Sequence, residues 1–217
     1  MKLIIFDWDG TLADSIGKII QCKRFLALKY RLSLPNDEIV KSVLGTQFEF
    51  AMSKCFPMAS GELLNQLGKD FHALMQLPKY QAELFFGARE MLQSLKEKGF
   101  KLAIATSKSR KEMENALVYN KLSTDAFELI CCGDEHLGKP DPAMLFFIMK
   151  KLNEKPENCL MIGDTTTDIV FAKNAGIKVV GVTFGAHSHN KMHSVEPDAL
   201  IAEWKNLSKI IEDLSYC

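Results

Sequence analysis

The chain has 217 residues, and its 27 lysines and arginines balance 27 aspartates and glutamates, so the formal net charge at pH 7 is zero. Without excess positive charge it lacks the electrostatic footprint of a nucleic-acid binder or of a protein held on an anionic membrane surface. The apolar run at residues 3–6 is too short for a signal peptide or a membrane span. Six cysteines without a Cys-x-x-Cys pair are typical of reduced thiols and give no support for a zinc site. We therefore expect a soluble, cytoplasmic protein with neither nucleic acid nor membrane as a partner.

Short runs rich in isoleucine and valine alternate with longer segments of helical period along the chain. This alternation is typical of a parallel sheet with helices on both faces, so the predicted class is α/β with a Rossmann-like core. The predicted strands cover residues 2–6, 101–106, 129–133, 159–163 and 178–184, with a shorter one at 199–201. Because open parallel sheets bind ligands beyond the carboxyl ends of their strands, we expect the functional site there.

The segment between the first two strands is far longer than a crossover connection requires. Residues 15–84 show only apolar spacing of helical period, with turn signals near Pro35 and Gly61. The sequence therefore predicts an all-helical cap domain at residues 15–84, inserted into an α/β core domain formed by residues 1–14 and 85–217. The helices predicted in the core cover residues 88–98, 109–119, 142–152, 167–175 and 202–214.

Two carboxylates, Asp7 and Asp9, follow the first predicted strand. Side chains two residues apart in an extended segment point the same way, so the two like charges share one site. Such a pair is tolerated if a divalent cation binds between the carboxylates or if one of them holds a proton. One carboxylate can then attack while the other donates a proton. Asp9-Gly10 is also a common turn dipeptide, and a plain turn is the alternative.

A second acidic pair, Asp164 and Asp168, follows the fourth predicted strand. If a helix begins at Thr167, both carboxylates can face the crevice and the positive end of that helix. Oxygen ligands without a His or Cys nearby suit Mg²⁺ better than zinc or copper, so the predicted cofactor is Mg²⁺. The alternative is a helix N-cap, which explains only one of the two residues.

Three further residues, one in a loop and two at the end of a strand, carry groups that fit a phosphate. Lys139 lies in a proline-rich loop, and facing the acidic pairs its charge would neutralise a carboxylate and a phosphate oxygen together. Thr106 and Ser107 add hydroxyl and backbone donors. A solvated loop lysine is the alternative for Lys139. Residues 133–139 also have Walker-loop spacing, but Pro140 stands where that loop needs a hydroxyl and a backbone N–H.

Four separated motifs, in this order, resemble those of the haloacid dehalogenase superfamily, in its phosphatase branch with a helical cap. The resemblance covers nearly the whole chain and is strongest to phosphoglycolate phosphatase-type enzymes. The motifs are DWDGTL at residues 7–12, Thr106 in ATSK, Lys139 in GKPDP, and GDTTTD at residues 163–168. The resemblance implies a Mg²⁺-dependent phosphatase that hydrolyses a small phosphorylated metabolite, similar to phosphoglycolate, through an aspartyl-phosphate intermediate.

The resemblance also implies roles for the acidic residues. Asp7 would be the nucleophile, and Asp9 would protonate the leaving alcohol and then deprotonate the attacking water. Mg²⁺ would be held by the side chains of Asp7 and Asp164 and by the backbone carbonyl of Asp9. Asp168 would be either a further ligand or a carboxylate just outside the ligand shell. The metal would screen the repulsion between an anionic nucleophile and an anionic substrate.

Phosphoryl and substrate binding are implied in the same way. Thr106 and Lys139 would bind the phosphoryl oxygens. In similar proteins a loop between cap helices closes over the site, and Gly45 interrupts the helical pattern of residues 44–49. Gly45, Thr46 and Gln47 are therefore the predicted substrate contacts in the cap. The alternative is that Gly45 only ends a helix.

Other functions stay open at this stage. Within the superfamily they are a sugar phosphomutase, a pyrophosphatase, and a phosphonate-cleaving enzyme with a Schiff-base lysine in the cap. Outside it they are a phosphate-accepting signalling module and a catalytically silent scaffold. The sequence is compatible with a monomer or a homodimer. The lysines that could serve in a phosphonate-cleaving cap are Lys18, Lys23, Lys29, Lys41 and Lys54.

Two features are predicted to be structural. The ring of Trp8 is expected to pack under the cap, where it would narrow the site. His187, His189 and His193 lie in a polar stretch that is expected to be a solvated loop rather than a metal site.

Overall fold

The computed structural model describes residues 1–215, and its sheet has six parallel strands. In chain order the strands are β1 Leu3–Phe6, β2 Lys101–Ala105, β3 Leu129–Cys131, β4 Cys159–Gly163, β5 Lys178–Val182 and β6 Ala199–Ile201. Their order across the sheet is β3-β2-β1-β4-β5-β6. All six predicted strands are present, which confirms the α/β class. Strands β1, β2, β3 and β5 are one or two residues shorter than predicted.

The strand register brings the carboxyl ends of the central strands level with one another. Phe6 of β1 pairs with Ile104 of β2 on one side and with Ile162 of β4 on the other. The segments that follow these three strands therefore leave the sheet at one edge. This is the edge at which open parallel sheets bind ligands.

The first four helices after β1 pack on one another. They are α1 Ile16–Lys29, α2 Asp37–Ser42, α3 Phe48–Cys55 and α4 Gly61–Met75. These helices enclose a hydrophobic cluster of their own, in which Leu26, Met52 and Leu67 are buried. The chain enters and leaves the helical segment along paired backbone, because Ala13 and Leu84 form an antiparallel bridge. The domain division at residues 14 and 85 stays a prediction.

The remaining helices cover both faces of the sheet. They are α5 Ala88–Glu97, α6 Arg110–Tyr119, α7 Ala143–Leu152, α8 Thr166–Asn174, α9 His189–His193 and α10 Leu207–Ser215. Side chains alternate along β1, so Ile4 and Phe6 share one hydrophobic cluster with α5, α6 and α10. Leu3 and Ile5 share the other with α7, α8 and Met192 of α9. The near-continuous apolar sequence of the central strands follows from this burial on two faces.

Four core helices begin at residues other than those predicted. Helix α6 begins at Arg110, because Ser109 is its N-cap. Helix α7 begins at Ala143, because Pro142 occupies the N-cap position. Helix α8 begins at Thr166, because the Thr165 side chain caps it. Helix α10 begins at Leu207 rather than at residue 202, because a single 3₁₀ turn at Trp204–Asn206 precedes it.

Both structural predictions for Trp8 and for the histidines are wrong. Trp8 is 1% exposed and belongs to the cluster that packs between the sheet and α5, α6 and α10, away from the helices of residues 16–75. His187 is buried, and His189–His193 form helix α9, so this stretch is not a solvated loop.

Within residues 1–215 no helix is both long enough and apolar enough to cross a membrane. The five cysteines in this part of the chain are buried and form no disulfide, which fits the predicted reduced thiols. Cys217 lies outside the described residues.

Candidate active site

Lys139 contacts one carboxylate from each of the two predicted acidic pairs, Asp7 and Asp168. Its side chain is fully buried, and its Nζ lies 2.9 Å from Oδ1 of Asp7 and 2.7 Å from Oδ1 of Asp168. The ring of Phe171 in α8 lies under the ammonium group at 5.4 Å. The alternative of a solvated loop lysine is therefore wrong. Burial would lower the pKa of Lys139, but the charges of Asp168 and Asp7 outweigh it and raise that pKa, so the lysine stays charged.

Asp164 is held from two directions at the end of β4. Its Oδ1 accepts a hydrogen bond of 2.9 Å from the Thr11 hydroxyl, and its Oδ2 accepts one of 2.7 Å from the backbone N–H of Ala186. Asp168 is fixed within helix α8. Its Oδ2 accepts a hydrogen bond of 2.6 Å from the Thr165 hydroxyl, and the two residues form a capping box. An N-cap interaction, the alternative for this pair, therefore involves Thr165 and Asp168. It does not involve Asp164, so it does not explain the position of that carboxylate.

Three buried carboxylates meet at this point, and we call Asp7, Asp164 and Asp168 the aspartate cluster. One oxygen from each lies within 4.8 Å of the others, close enough to share a metal ion. Burial, followed by the charges of Asp168 and Asp9, raises the pKa of Asp7 from 3.8 to about 7 although Lys139 opposes this. Burial and the charges of Asp168 and Asp7 also raise the pKa of Asp164. A buried all-oxygen site with excess negative charge fits a hard divalent cation such as Mg²⁺.

We expect the contribution of Asp7 to the stability of the metal-free protein to fall as the pH rises from about 4 to about 7. In the unfolded chain Asp7 releases its proton near its ordinary value, whereas the folded protein retains that proton until about pH 7. The unfolded state thus gains relative stability across this window. In chelator the Tm of wild type should fall relative to that of Asp7→Asn across this window, and Mg²⁺ at about 100 times its Kd should raise the Tm of wild type at pH 8 by about 5–10 °C. A Tm difference that does not change with pH, or no effect of Mg²⁺ at matched ionic strength, would contradict this expectation.

Asp9 lies outside the aspartate cluster and faces another partner. Its Oδ1 lies 3.1 Å from Nζ of Lys108, a residue that the sequence analysis did not single out. Burial alone would lower the pKa of Lys108, but the charges of Asp9 and Glu112 outweigh it and raise that pKa. The Thr106 hydroxyl accepts a hydrogen bond of 3.2 Å from the backbone N–H of Lys108. The signal for Lys108 was its place directly after Thr106 and Ser107 at the end of a strand.

A cavity of about 80 Å³ opens beside Asp7 and Asp9. Thr106, Ser107 and Lys108 line it from the sheet, and Gly45 and Thr46 line it from the loop between α2 and α3. Its other lining residues are Ile19, Lys23, Val43, Leu44, Phe48, Ala51, Phe71, His72, Met75 and Glu112.

The predicted cap loop is divided between this cavity and a neighbouring groove. Ser107 Oγ donates a hydrogen bond of 3.3 Å to the Gly45 carbonyl, which ties the loop to the end of β2. Gln47 lies in the groove, against Gly138. The structure thus brings Gly45 and Thr46 to the cavity with Asp7 and Asp9, and it does not bring Gln47 there.

Gly10 is required by the close approach of its backbone to Asp164. Its φ is +79°, and a Cβ at this position would lie 2.2 Å from Oδ2 of Asp164. We expect Gly10→Ala to displace that carboxylate, to lower the free energy of unfolding by about 1–3 kcal/mol, and to weaken Mg²⁺ binding. Gly99→Ala is the matched control, because φ is +83° there and nothing lies within 4 Å. Equal losses of stability and metal affinity in the two variants would contradict the role of the contact with Asp164.

The chain is similar over nearly its whole length to known hydrolases. A pyrophosphatase, PpaX, from Bacillus cereus is 29% identical over 220 residues, covering 99% of this chain and 98% of its own. A phosphoglycolate phosphatase from Mannheimia succiniciproducens is 27% identical over 226 residues, covering 97% and 98%. The crystal structure of a haloacid dehalogenase-like hydrolase from Bacteroides fragilis superimposes with a TM-score of 0.87 at 27% identity, covering 95% of this chain and 99% of that one.

A family model described as haloacid dehalogenase-like hydrolase matches residues 4–182. The matched region includes Asp7 and Asp9 after β1, buried Lys139, and the two aspartates after β4. It also includes the helices inserted between β1 and β2. The resemblance predicted from the four motifs is thereby confirmed, and the chain belongs to the haloacid dehalogenase-like hydrolase family.

Proposed function

We propose that this hydrolase is a Mg²⁺-dependent phosphatase that acts on a small phosphomonoester, with Asp7 as the nucleophile. The observation that carries the proposal is the position of Asp7. Its carboxylate is held 2.9 Å from the buried Lys139 ammonium, belongs to the aspartate cluster, and borders the cavity that Asp9 shares. A nucleophile and a second carboxylate thus line one cavity, and a buried ammonium group lies against the nucleophile.

The chemistry follows from these positions. An oxygen of Asp7 attacks the phosphorus, the bond between phosphorus and the leaving oxygen breaks, and Asp9 gives that oxygen a proton. Asp9 then takes a proton from a water molecule that attacks the aspartyl phosphate, which releases inorganic phosphate, restores the Asp7 carboxylate and returns Asp9 to its protonated form. Lys139 and the Thr106 hydroxyl bind the phosphoryl oxygens as negative charge moves onto them. Lys108, at 3.1 Å, holds the Asp9 carboxylate at the cavity.

The aspartate cluster supplies the metal site in this proposal. Asp7 and Asp164, with the backbone carbonyl of Asp9, would hold Mg²⁺. Both oxygens of Asp168 already accept hydrogen bonds, from Lys139 and from Thr165, so we assign Asp168 to positioning Lys139. Bound Mg²⁺ would neutralise the negative charge shared by the nucleophile and the substrate.

Two substrate types fit the site and the names of the relatives, a phosphomonoester as proposed and, as the alternative, a phosphoanhydride. A phosphoglycolate-like monoester is the first, and the relative named phosphoglycolate phosphatase favours it. Pyrophosphate is the second, because a similarly close relative is named pyrophosphatase. In both cases Gly45 and Thr46 would contact the part of the substrate that leaves.

The test is phosphate release from phosphoglycolate, pyrophosphate and a sugar phosphate, each measured with Mg²⁺ and with chelator. We expect release that requires Mg²⁺ and that differs strongly between substrates. Equal release in chelator would overturn the assigned metal dependence. No release from any of the three would overturn the proposed phosphatase.

A further inference from the structure

Lys23 brings a positive charge from the helical insert into the candidate active site. It lies in the middle of α1, is 3% exposed, and lines the same cavity as Asp7 and Asp9. The cavity wall around it is largely apolar, with Ile19, Phe71 and Met75 among its lining residues. A lysine in such surroundings loses hydration and needs an anionic partner in return.

The protein itself does not provide that partner. Nζ of Lys23 donates a hydrogen bond of 3.1 Å to Sγ of Cys55, and it lies 5.8 Å from the centre of the Phe71 ring. A thiol is a weak acceptor, and an ammonium group has three donors. Among residues 1–215, no carboxylate forms an ion pair with Lys23.

The acidic residues that line the cavity are all engaged elsewhere. Oε1 of Glu112 lies 3.0 Å from Nδ1 of His72, and its Oε2 accepts two hydrogen bonds of 2.9 Å from the backbone and hydroxyl of Ser109. Asp9 is paired with Lys108, and Asp7 with Lys139. The charge that balances Lys23 must therefore arrive with the ligand.

We propose that Lys23 binds a second anionic group on the leaving portion of the substrate and thereby determines specificity. The inference rests on the proposed phosphatase activity. The second group is a carboxylate, as in a phosphorylated hydroxy acid, or the other phosphoryl group of pyrophosphate. The apolar wall offers few partners for the hydroxyls of a sugar.

The experiment compares three substrates in wild type and in Lys23→Met, which keeps the length of the side chain and removes its charge. The substrates are phosphoglycolate, pyrophosphate, and 2-hydroxyethyl phosphate, which replaces the carboxylate by a neutral group. In wild type, kcat/KM for one of the anionic substrates should exceed kcat/KM for 2-hydroxyethyl phosphate by about 10- to 100-fold. In Lys23→Met the ratio of these two kcat/KM values should fall toward one, mainly because KM for the anionic substrate rises. Whichever of the two anionic substrates loses its advantage identifies the second group.

Stability and two further variants separate recognition from structure. Without substrate, Lys23→Met should be at least as stable as wild type, because it removes an unpaired buried charge. Lys18→Met, on the same helix but outside the cavity lining, should leave the ratio unchanged. Lys23→Arg keeps the charge and should retain part of the preference.

Each contrary outcome has its own meaning. If the kcat/KM of wild type for 2-hydroxyethyl phosphate equals its kcat/KM for the anionic substrates, the proposed role of Lys23 is wrong, but the proposed phosphatase activity is not contradicted. This comparison needs no variant to fold. An unchanged ratio in folded Lys23→Met overturns the role of Lys23 as well. If no substrate releases phosphate, both the phosphatase and the inference fail.

Discussion

Asp7→Asn should abolish phosphate release, with kcat lowered by at least about 10³-fold. The amide keeps the shape of the side chain, but it is a poor nucleophile and a weaker metal ligand. The same substitution removes one charge from the aspartate cluster, in which burial raises the pKa of Asp7 to about 7. Above pH 7 the metal-free variant should therefore melt at a higher temperature than the metal-free wild type. The measurements are steady-state kinetics and melting curves in chelator at pH 8.

The opposite directions of these two effects make the prediction specific. A substitution that merely damages the fold would lower both activity and Tm. Asp14→Asn is the matched control, because Asp14 lies exposed in the same segment and should leave both quantities near their wild-type values. Phosphate release by Asp7→Asn at a rate close to that of wild type would show that another group attacks the substrate.

Lys139→Met should produce the largest loss of stability. The substitution leaves Asp7 and Asp168 buried without the ammonium group that lies 2.9 and 2.7 Å from them. Breaking a buried ion pair by removal of one partner costs about 3–5 kcal/mol. For a chain of this size that loss lowers Tm by about 6–20 °C.

The measurement is thermal unfolding in chelator, so that no added cation replaces the lost charge. Lys150→Met removes an exposed lysine from helix α7 and should shift Tm very little. Mg²⁺ should recover part of the stability of Lys139→Met, because in the proposed site it would bind Asp7, one of the two carboxylates that Lys139 contacts. A Tm within about 2 °C of wild type would mean that Lys139 is not the countercharge of the aspartate cluster.

The strands and the residues that follow them could be predicted, because both depend on short stretches of sequence. The strands are short apolar runs that end in polar residues, and parallel pairing places those ends at one edge. Asp7, Thr106, Lys139 and Asp164 could therefore be assigned to one site without coordinates. The helix starts were less accurate because a cap residue such as Thr165 and a 3₁₀ turn at Trp204–Asn206 shift a boundary without changing the apolar period.

Contacts between distant segments were not predictable. Lys23 meets Cys55 32 residues away, and His72 meets Glu112 40 residues away. Both contacts depend on how the inserted helices pack on one another and on the edge of the sheet. No spacing rule distinguishes Lys23 from the other lysines between β1 and β2. Trp8 shows the same limit, because its ring turns into the core cluster although its neighbours Asp7 and Asp9 face the cavity.

The bridge between Ala13 and Leu84 means that the helical insert begins and ends at nearly the same point in space. The Asp14 N–H donates to the Glu83 carbonyl, and the Phe85 N–H donates to the Leu12 carbonyl, each at 2.9 Å. We therefore expect a graft that replaces the intervening helices to leave the register of β1 and β2 unaltered, since this bridge and its hydrogen bonds hold the two junctions side by side.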